Sequence, residues 1–495
     1  MKRALILFIL SMFCLNMLWA EELSESEIEE ESDTAEASNL MDGFYGGIEI
    51  DLDYDISAQN PFYQYGVIEL GYNIGYFDVF GSFSVCNDGK YQPSHGDDLF
   101  FGYYFYLESG GFKFNYDYLS LTFGRTTQED VVDTPYSLFV SSKIIPTLLA
   151  DVSFDNDIFF FTSRWTELNR DSSMTYTTQD GEESWPDRGW QYNTYGIYIK
   201  DFKFGFQDSL IYTDESFDPE YFLNPLPGFF KQYVRISSGK PWTVEGDANS
   251  IMGFFVEWNP SKIYAYGQLL IDDFNANAIL NPDSVQNPNK IAWSVGGRYE
   301  FNWGTLGFYN AGATKYTFQS SGTTSGDYLY GYSFYPSTTY TANGVVMPIE
   351  LEDTYIGYYN GENNLSFLVD YEATWVGIGI YSSLEFSLSG SKSPANAWSQ
   401  YSWWTEEDDA GTKFLDSDVL EKKLVLTVGA SRSLKELGAW AEHFIISMSL
   451  EAGYIWNVLE LTDTLSSDVN QEEYWAPSEN NEAVFSVTLG VCYRI

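Results

Sequence analysis

Apolar and polar residues alternate with a period of two in segment after segment of this 495-residue chain. Ile291, Trp293, Val295, Gly297, Tyr299 and Phe301 share one face, while Ala292, Ser294, Gly296, Arg298 and Glu300 share the other. Leu365, Phe367, Val369 and Tyr371 repeat the pattern. So do Phe444, Ile446, Met448, Leu450, Ala452, Tyr454 and Trp456, and then Phe485, Val487, Leu489, Val491, Tyr493 and Ile495. Such alternation marks strands whose two faces meet different surroundings. A soluble sandwich alternates too, but its strands usually run about 5–6 residues. Runs of about 9–11 residues with rings near their ends match a tilted bilayer span with aromatic girdles.

The breaks between runs carry a second regularity. Short connections fall at Asn73-Ile74-Gly75, Asp155-Asn156-Asp157, around Asp201, at Asn259-Pro260-Ser261, at Asn302-Trp303-Gly304 and at Glu372-Ala373-Thr374. Long polar connections span about 127–146, 168–189, 214–248, 272–289, 318–363, 390–419 and 459–482. Short turns on one rim and long loops on the other are how outer-membrane barrels are built, and closure removes the edges that hydrocarbon does not tolerate. The expected fold is all-β: a closed antiparallel transmembrane β-barrel of about 18 strands, from near Gly43 to Ile495, with short periplasmic turns and long extracellular loops.

Composition agrees and narrows the function. Aromatics reach 18% while charged residues stop at 19%, and 71 acidic residues face only 25 basic ones, a formal charge of −46. Neutralising phosphates needs clustered Lys and Arg, so nucleic acid is excluded as a partner. The N-terminus reads as a secretory signal: Lys2 and Arg3, an apolar core over 4–19, and cleavage after Ala20. Phe13 is too bulky for Cys14 to serve as a lipidation site. Residues 21–41, with almost nothing apolar among many Glu, read as an acidic disordered periplasmic tail. The remaining Cys86 and Cys492 are too few for a disulfide framework and read as unbridged strand residues. Residues 42–495 are expected to form one barrel.

Two segments fit poorly. Asp208 falls on the face of Phe202, Phe204, Phe206 and Leu210, which predicts a bulge or a site near the rim. Residues 127–146, with Pro135 and Pro146 around an apolar stretch, are too apolar for a free loop and read as a lumen constriction or plug.

No catalytic set assembles, so the chain is not expected to be an enzyme, and no cofactor or metal is implied. His95 lies in a turn-like stretch and His443 starts a strand, neither with a Ser or Cys nucleophile nearby. Asp51-Leu52-Asp53-Tyr54-Asp55 imitates a calcium loop but has Ile56 where the sixth-position glycine belongs and Phe62 where the glutamate belongs. The better reading is a column of lumen carboxylates, Glu49, Asp51, Asp53 and Asp55, opposite Ile48, Ile50, Leu52 and Tyr54 on the lipid side. Gly377-Ile378-Gly379 lies inside an expected strand and is no nucleotide loop.

The long loops are rich in rings beside carboxylates and amides. Trp185, Trp190, Trp398, Tyr401, Trp403 and Trp404 are candidate ligand-binding residues, since rings pack on the C–H faces of sugars; the alternative is that they mark the outer girdle or pack the loops together.

Several stretches resemble the Wzi family of capsule-assembly outer-membrane proteins. They are Leu119 to Arg125, Ser141 to Pro146, residues 151–169 and, most closely, residues 188–212, Asn224-Pro225-Leu226 and 247–274. The resemblance runs from about 119 to 301, with a looser match at Tyr355-Ile356-Gly357 and Asn360-Gly361. It implies an 18-stranded barrel and a non-enzymatic role in binding surface or capsular polysaccharide at the cell exterior. The acidic tail departs from the helical periplasmic elements of capsule-type members. The alternative is an acidic-lumen porin or channel for cations and small polar solutes. Either reading places the chain in the outer membrane of a diderm bacterium, among lipids, inserted by the barrel-assembly machinery.

Overall fold

The computed structural model describes residues 43–91, 102–168, 175–178, 181–237, 248–274, 288–320, 327–342, 345–396, 398, 412–438, 441–462 and 474–494. The expected signal segment with its cut after Ala20, and the acidic tail, lie outside the described residues.

Eighteen antiparallel strands form one sheet. They are β1 (Phe44–Asp55), β2 (Phe62–Ile74), β3 (Phe77–Cys86), β4 (Tyr104–Tyr116), β5 (Leu119–Thr126), β6 (Thr147–Asp155), β7 (Phe159–Glu167), β8 (Arg188–Ile199) and β9 (Phe202–Thr213). The second nine are β10 (Ala248–Trp258), β11 (Ile263–Asp273), β12 (Lys290–Phe301), β13 (Gly304–Ala313), β14 (Asn364–Trp375), β15 (Ile378–Ser389), β16 (Glu421–Ser433), β17 (Phe444–Trp456) and β18 (Asn481–Arg494). Each pairs with the next in sequence, and β18 pairs back onto β1 from Gly47↔Arg494 to Asp55↔Ser486. The sheet therefore closes and leaves no edge of unpaired N–H and C=O groups.

The alternation sorts the faces. Val79, Phe105, Val295, Phe308, Leu426 and Met448 are exposed on the outside. Their register neighbours Ala292 and Ser294 point inward and are buried. An outward apolar band on a closed barrel of tilted strands is the transmembrane arrangement. No helix among the described residues is long and apolar enough to cross a membrane.

The turn expected at Glu372-Ala373-Thr374 lies further on. β14 runs to Trp375, and Val376 (φ 50°) with Gly377 (φ 73°) makes the reversal, so Gly377 is a turn residue rather than part of a strand. Two consecutive positive φ values suit the twist of a two-residue hairpin turn, a signal that Val376 hides. The connection at 87–103 is also long, and joins the long-loop rim.

Two apolar cores flank the same strands. The larger lies inside and joins Val132, Tyr136, Leu138 and Phe139 to inward rings such as Trp190, Tyr192, Tyr266 and Tyr309. The smaller gathers Trp165, Leu210, Tyr212, Tyr221 and Ala248, with Phe222 packed against it. It lies on the outer wall, because Trp165, Leu210 and Tyr212 share the outward parity of the exposed Phe159, Phe202 and Phe204. The bulge expected at Asp208 does not form: β9 pairs in unbroken register with β8 (Asn193↔Asp208) and with β10 (Asp208↔Met252). Asp208 keeps its outward parity and is completely buried, because residues 217–237 fold back over it.

Candidate functional site

The connection between β5 and β6, residues 127–146, spans the lumen. Near one end, the Glu129 carbonyl accepts from Arg164 at 3.0 Å. Further along, Tyr136 donates to Glu385 on β15 at 2.8 Å. Asp130 fixes the path. Its Oδ2 accepts from the Phe139 and Val140 backbone N–H groups at 3.1 and 3.2 Å and from Gln268 at 3.1 Å. Its Oδ1 accepts from Gln207 at 2.7 Å and Tyr192 at 3.3 Å. One carboxylate thus ties the crossing segment to itself and to inward side chains of β8, β9 and β11. Leu138 N–H donates to Gln268 at 3.0 Å, Lys203 donates to the Val131 carbonyl at 2.9 Å, and Asp133 pairs with Arg298.

A second lumen element comes from the connection between β13 and β14. Its short helix α3 (Leu351–Thr354) and the preceding Glu350 carry three carboxylates, each paired to a lysine from elsewhere. Lys90 reaches Glu350, just before the helix, at 2.9 Å and Asp353 at 2.7 Å. Glu352 lies 2.9 Å from Lys143 of the crossing segment and 3.3 Å from Lys423 of β16. Burial pushes the Glu352 carboxyl up, but the two ammonium groups outweigh it and hold the group at about 2. Burial likewise lowers the Lys90 ammonium, and Asp353 and Glu350 more than reverse this, leaving it raised. On either side of α3, Tyr332 donates to the Phe139 carbonyl at 2.7 Å, the Ser141 N–H donates to Ile356 O at 2.7 Å, and Tyr359 donates to Glu385 at 2.8 Å.

The two elements pack mainly against β6–β15, reach across to Lys90 and to Lys423 of β16, and leave the rest of the opposite wall partly exposed. There Glu49, Asp51, Asp53 and Asp55 are half-buried, while Ile50 and Leu52 between them face outward and are exposed. Asp53 accepts from Thr488 at 2.6 Å, and Asp55 accepts from Ser57 N–H at 2.8 Å. Glu108 accepts from Ser84 at 2.6 Å and Tyr65 at 3.3 Å, and Glu451 accepts from Thr427 at 3.4 Å. This inner face of β1–β4 and β16–β18 is hydroxyl-rich and acidic, and holds no tryptophan.

The ring candidates fare differently. Trp190 is fully enclosed on the inner face of β8, donates to Ser209 at 2.6 Å and packs edge-on against Tyr332 with centroids 6.0 Å apart. Trp185 and Trp398 are buried as well, Trp398 against Tyr316 at 6.3 Å. These three rings are enclosed by protein and present almost no surface. Tyr401, Trp403 and Trp404 lie outside the described residues, as does His95. His443 is exposed beside Glu442 at 3.2 Å. Cys86 and Cys492 are free. Sequence reasoning missed Asp130, Glu385 and the α3 carboxylates; only the apolar character and two prolines of 127–146 pointed toward the crossing.

No family model matches the chain, and no curated protein matches it in sequence. Several solved structures resemble it in shape. One is Wzi of Escherichia coli, an outer-membrane protein involved in group 1 capsule assembly and a carbohydrate-binding β-barrel. It has 10% identity and a TM-score of 0.49, over 92% of this chain and 86% of that one. Another is OccD3 (OpdP) of Pseudomonas aeruginosa, at 11% identity and a TM-score of 0.45 over 92% of both chains. A third is OccK3 (OpdO) of the same organism, at 8% identity and a TM-score of 0.45, covering 94% of this chain and 99% of that one.

Proposed function

We propose that this chain is an outer-membrane channel, exported by its N-terminal signal and inserted by the barrel-assembly machinery of a diderm bacterium. Its acidic half-lumen passes cations and small cationic or polar solutes. The observation that carries this reading is the asymmetry of the lumen. One wall is covered by residues 127–146 and 355–359, while the other keeps half-buried carboxylates and hydroxyls along its length. Carboxylates set along a low-dielectric wall concentrate cations and repel anions. The hydroxyls of Thr488, Ser84 and Thr427 hold three of these carboxylates in place.

Reversal potentials in planar bilayers under a salt gradient test the proposal. Wild type should prefer cations. Glu49→Gln, Asp51→Asn and Asp53→Asn together should weaken the preference, most at low ionic strength where screening is slight. Absence of conductance, or a preference the triple variant leaves unchanged, would overturn it.

The second reading is attachment of surface polysaccharide through exterior loops. It rests on the ring-rich stretch at Trp398, Tyr401, Trp403 and Trp404, which stands beside Glu406, Glu407, Asp408 and Asp409 in sequence. It predicts that Trp403→Ala with Trp404→Ala abolishes glycan pull-down while the heat-modifiable barrel stays intact.

A further inference from the structure

The outer wall of β7–β10 is interrupted in a way that neither reading explains. Below, toward the short-turn rim, its outward residues are ordinary lipid-facing side chains: Phe159, Ile197, Phe204 and Phe254 are exposed. Above them the outward positions turn polar, at Ser163, Gln191, Asn193, Asp208 and Ser250. All but Ser250 are buried. Asp208 stands six residues from Phe202, roughly 15 Å up a strand tilted by about 40°. That is inside an apolar band about 25 Å tall.

The cover is the connection between β9 and β10. Helix α1 (Pro219–Leu223), the turn Asn224-Pro225-Leu226-Pro227 and helix α2 (Gly228–Ser237) descend along the wall and climb back. Trp165 donates to the Ser216 carbonyl at 2.5 Å, Ser163 to Phe222 O at 2.8 Å and Tyr195 to Pro225 O at 2.9 Å. The Gly228 N–H donates to Asp208 at 2.6 Å, and Ser250 donates to Gln232 at 2.9 Å. A Cβ at Gly228 would stand 2.8 Å from the Asp208 carboxylate and 3.3 Å from Leu210, so the contact needs glycine.

Further backbone groups of this segment are paired within it. Pro225 and Pro227 have no N–H to leave unpaired. Leu226 N–H donates to Asn224 at 3.1 Å, and Lys231, itself buried, donates to the carbonyls of Tyr221 and Asn224 at 2.6 and 3.2 Å. Non-helical backbone is tolerated at membrane depth only where it packs on protein with its polar groups paired, and this segment packs on the wall through Tyr195 and Asp208 with Lys231 on two of its carbonyls. Meanwhile the side chains turned outward are apolar: Leu223 is 73% exposed, Val234 66% and Phe230 57%. The exposed carboxylate of the segment, Glu220, sits at its upper end, beside the Asp218 cap whose N–H donates to Tyr212 at 3.1 Å.

We propose that residues 217–237 are a lipid-facing flap: they lie inside the outer leaflet against the barrel wall, with Leu223, Leu226, Phe230 and Val234 in contact with lipid hydrocarbon. The flap continues the apolar band formed lower down by Phe204 and Phe254, over the stretch where the wall itself is polar. The occupant is bilayer lipid, on the strength of that continuity and of the internally consumed polar groups.

The test uses the full chain in liposomes with Cys86→Ser and Cys492→Ser as background. Leu223→Cys and Val234→Cys are each labelled with bimane, with Val295→Cys as the lipid-facing reference, and folding is checked by heat-modifiable mobility. Spin-labelled lipid should quench both flap positions as strongly as position 295, and aqueous iodide should leave them bright. Quenching by iodide but not by lipid would overturn the proposal in favour of a water-exposed loop. Shielding from both quenchers, with cross-linking between barrels, would overturn it in favour of a second copy of this chain. Should one cysteine variant fail to fold, Leu226→Cys reads the same surface.

Discussion

The two halves of the barrel share one outer pattern and differ inside. Along β6–β15 the inward side chains are rings, alanines and glutamines buried beneath residues 127–146 and 355–359. Along β1–β4 and β16–β18 they are serines, threonines, tyrosines and carboxylates, most of them only partly buried. Both halves expose Val, Leu, Phe and Ile outward, as the apolar band demands. The outward face therefore answers to lipid everywhere, while the inward face answers to whatever the loops place against it. A barrel this wide leaves room for a lumen, and the long connections decide how much of it survives.

The strongest way to break this contrast is to remove what holds the filling in place. Asp130→Ala takes an acceptor from three backbone N–H groups, two amides and a phenol. Losing this partly buried, multiply bonded carboxylate should destabilise the crossing segment by roughly 2–3 kcal/mol. Single-channel conductance should rise while heat-modifiable mobility stays that of a closed barrel. Unchanged conductance would mean that the segment is not what narrows the lumen.

Next come the two faces of the wall. Val295→Arg and Leu450→Arg should each cost roughly 2–4 kcal/mol if they lie near the midplane. Inward neighbours separate the halves. Ser294 is fully buried and bonded to Tyr266 at 2.9 Å, so Ser294→Arg should be about as damaging as Val295→Arg. Ser449 is half-buried on the open side, where Ser449→Arg should cost under about 1 kcal/mol. Urea titrations of folding in liposomes read all four. Equal costs at Ser294 and Ser449 would erase the distinction between the halves.

A smaller effect is expected at α3. The Glu352 carboxyl is held at about 2 by Lys143 and Lys423, below its unfolded value. A depressed carboxylate stabilises the paired state above its ordinary range, and this contribution fades as pH falls toward about 2. The side chain is 43% exposed, so screening keeps the effect modest. Conductance should increase on acidification from pH 5 to 2, and Glu352→Gln should shift the pH 5 value toward the acid one. A variant with wild-type pH response would place the titrating group elsewhere.

Much of this was legible in the chain. The parity of Val295 against Ser294, or Leu450 against Ser449, follows from a period of two and needs no knowledge of neighbours. Strand count and closure follow from where the breaks fall. What was hidden depends on partners remote in sequence. Asp130 is one of 71 acidic residues and becomes a hub only through Gln207 and Gln268. Trp190 has the surroundings of a girdle or sugar-binding ring, and its burial is decided by Tyr332, well over a hundred residues on. Asp208 announced itself by falling on the wrong face, but the reason is Gly228, twenty residues later, rather than a local bulge. Val376 disguised a turn because a β-branched residue at positive φ runs against expectation.

The central claim is that solute moves past the acidic half of the lumen and not through the filled half. Thiol modification during single-channel recording tests it most directly. In a background of Cys86→Ser and Cys492→Ser, cysteines are placed at Thr427, beside Glu451 on the open wall, and at Ser294, beneath the crossing segment. A cationic methanethiosulfonate reagent should react quickly at Thr427→Cys and lower the current, and leave Ser294→Cys unaltered. Rapid modification at position 294 with none at position 427 would contradict the account.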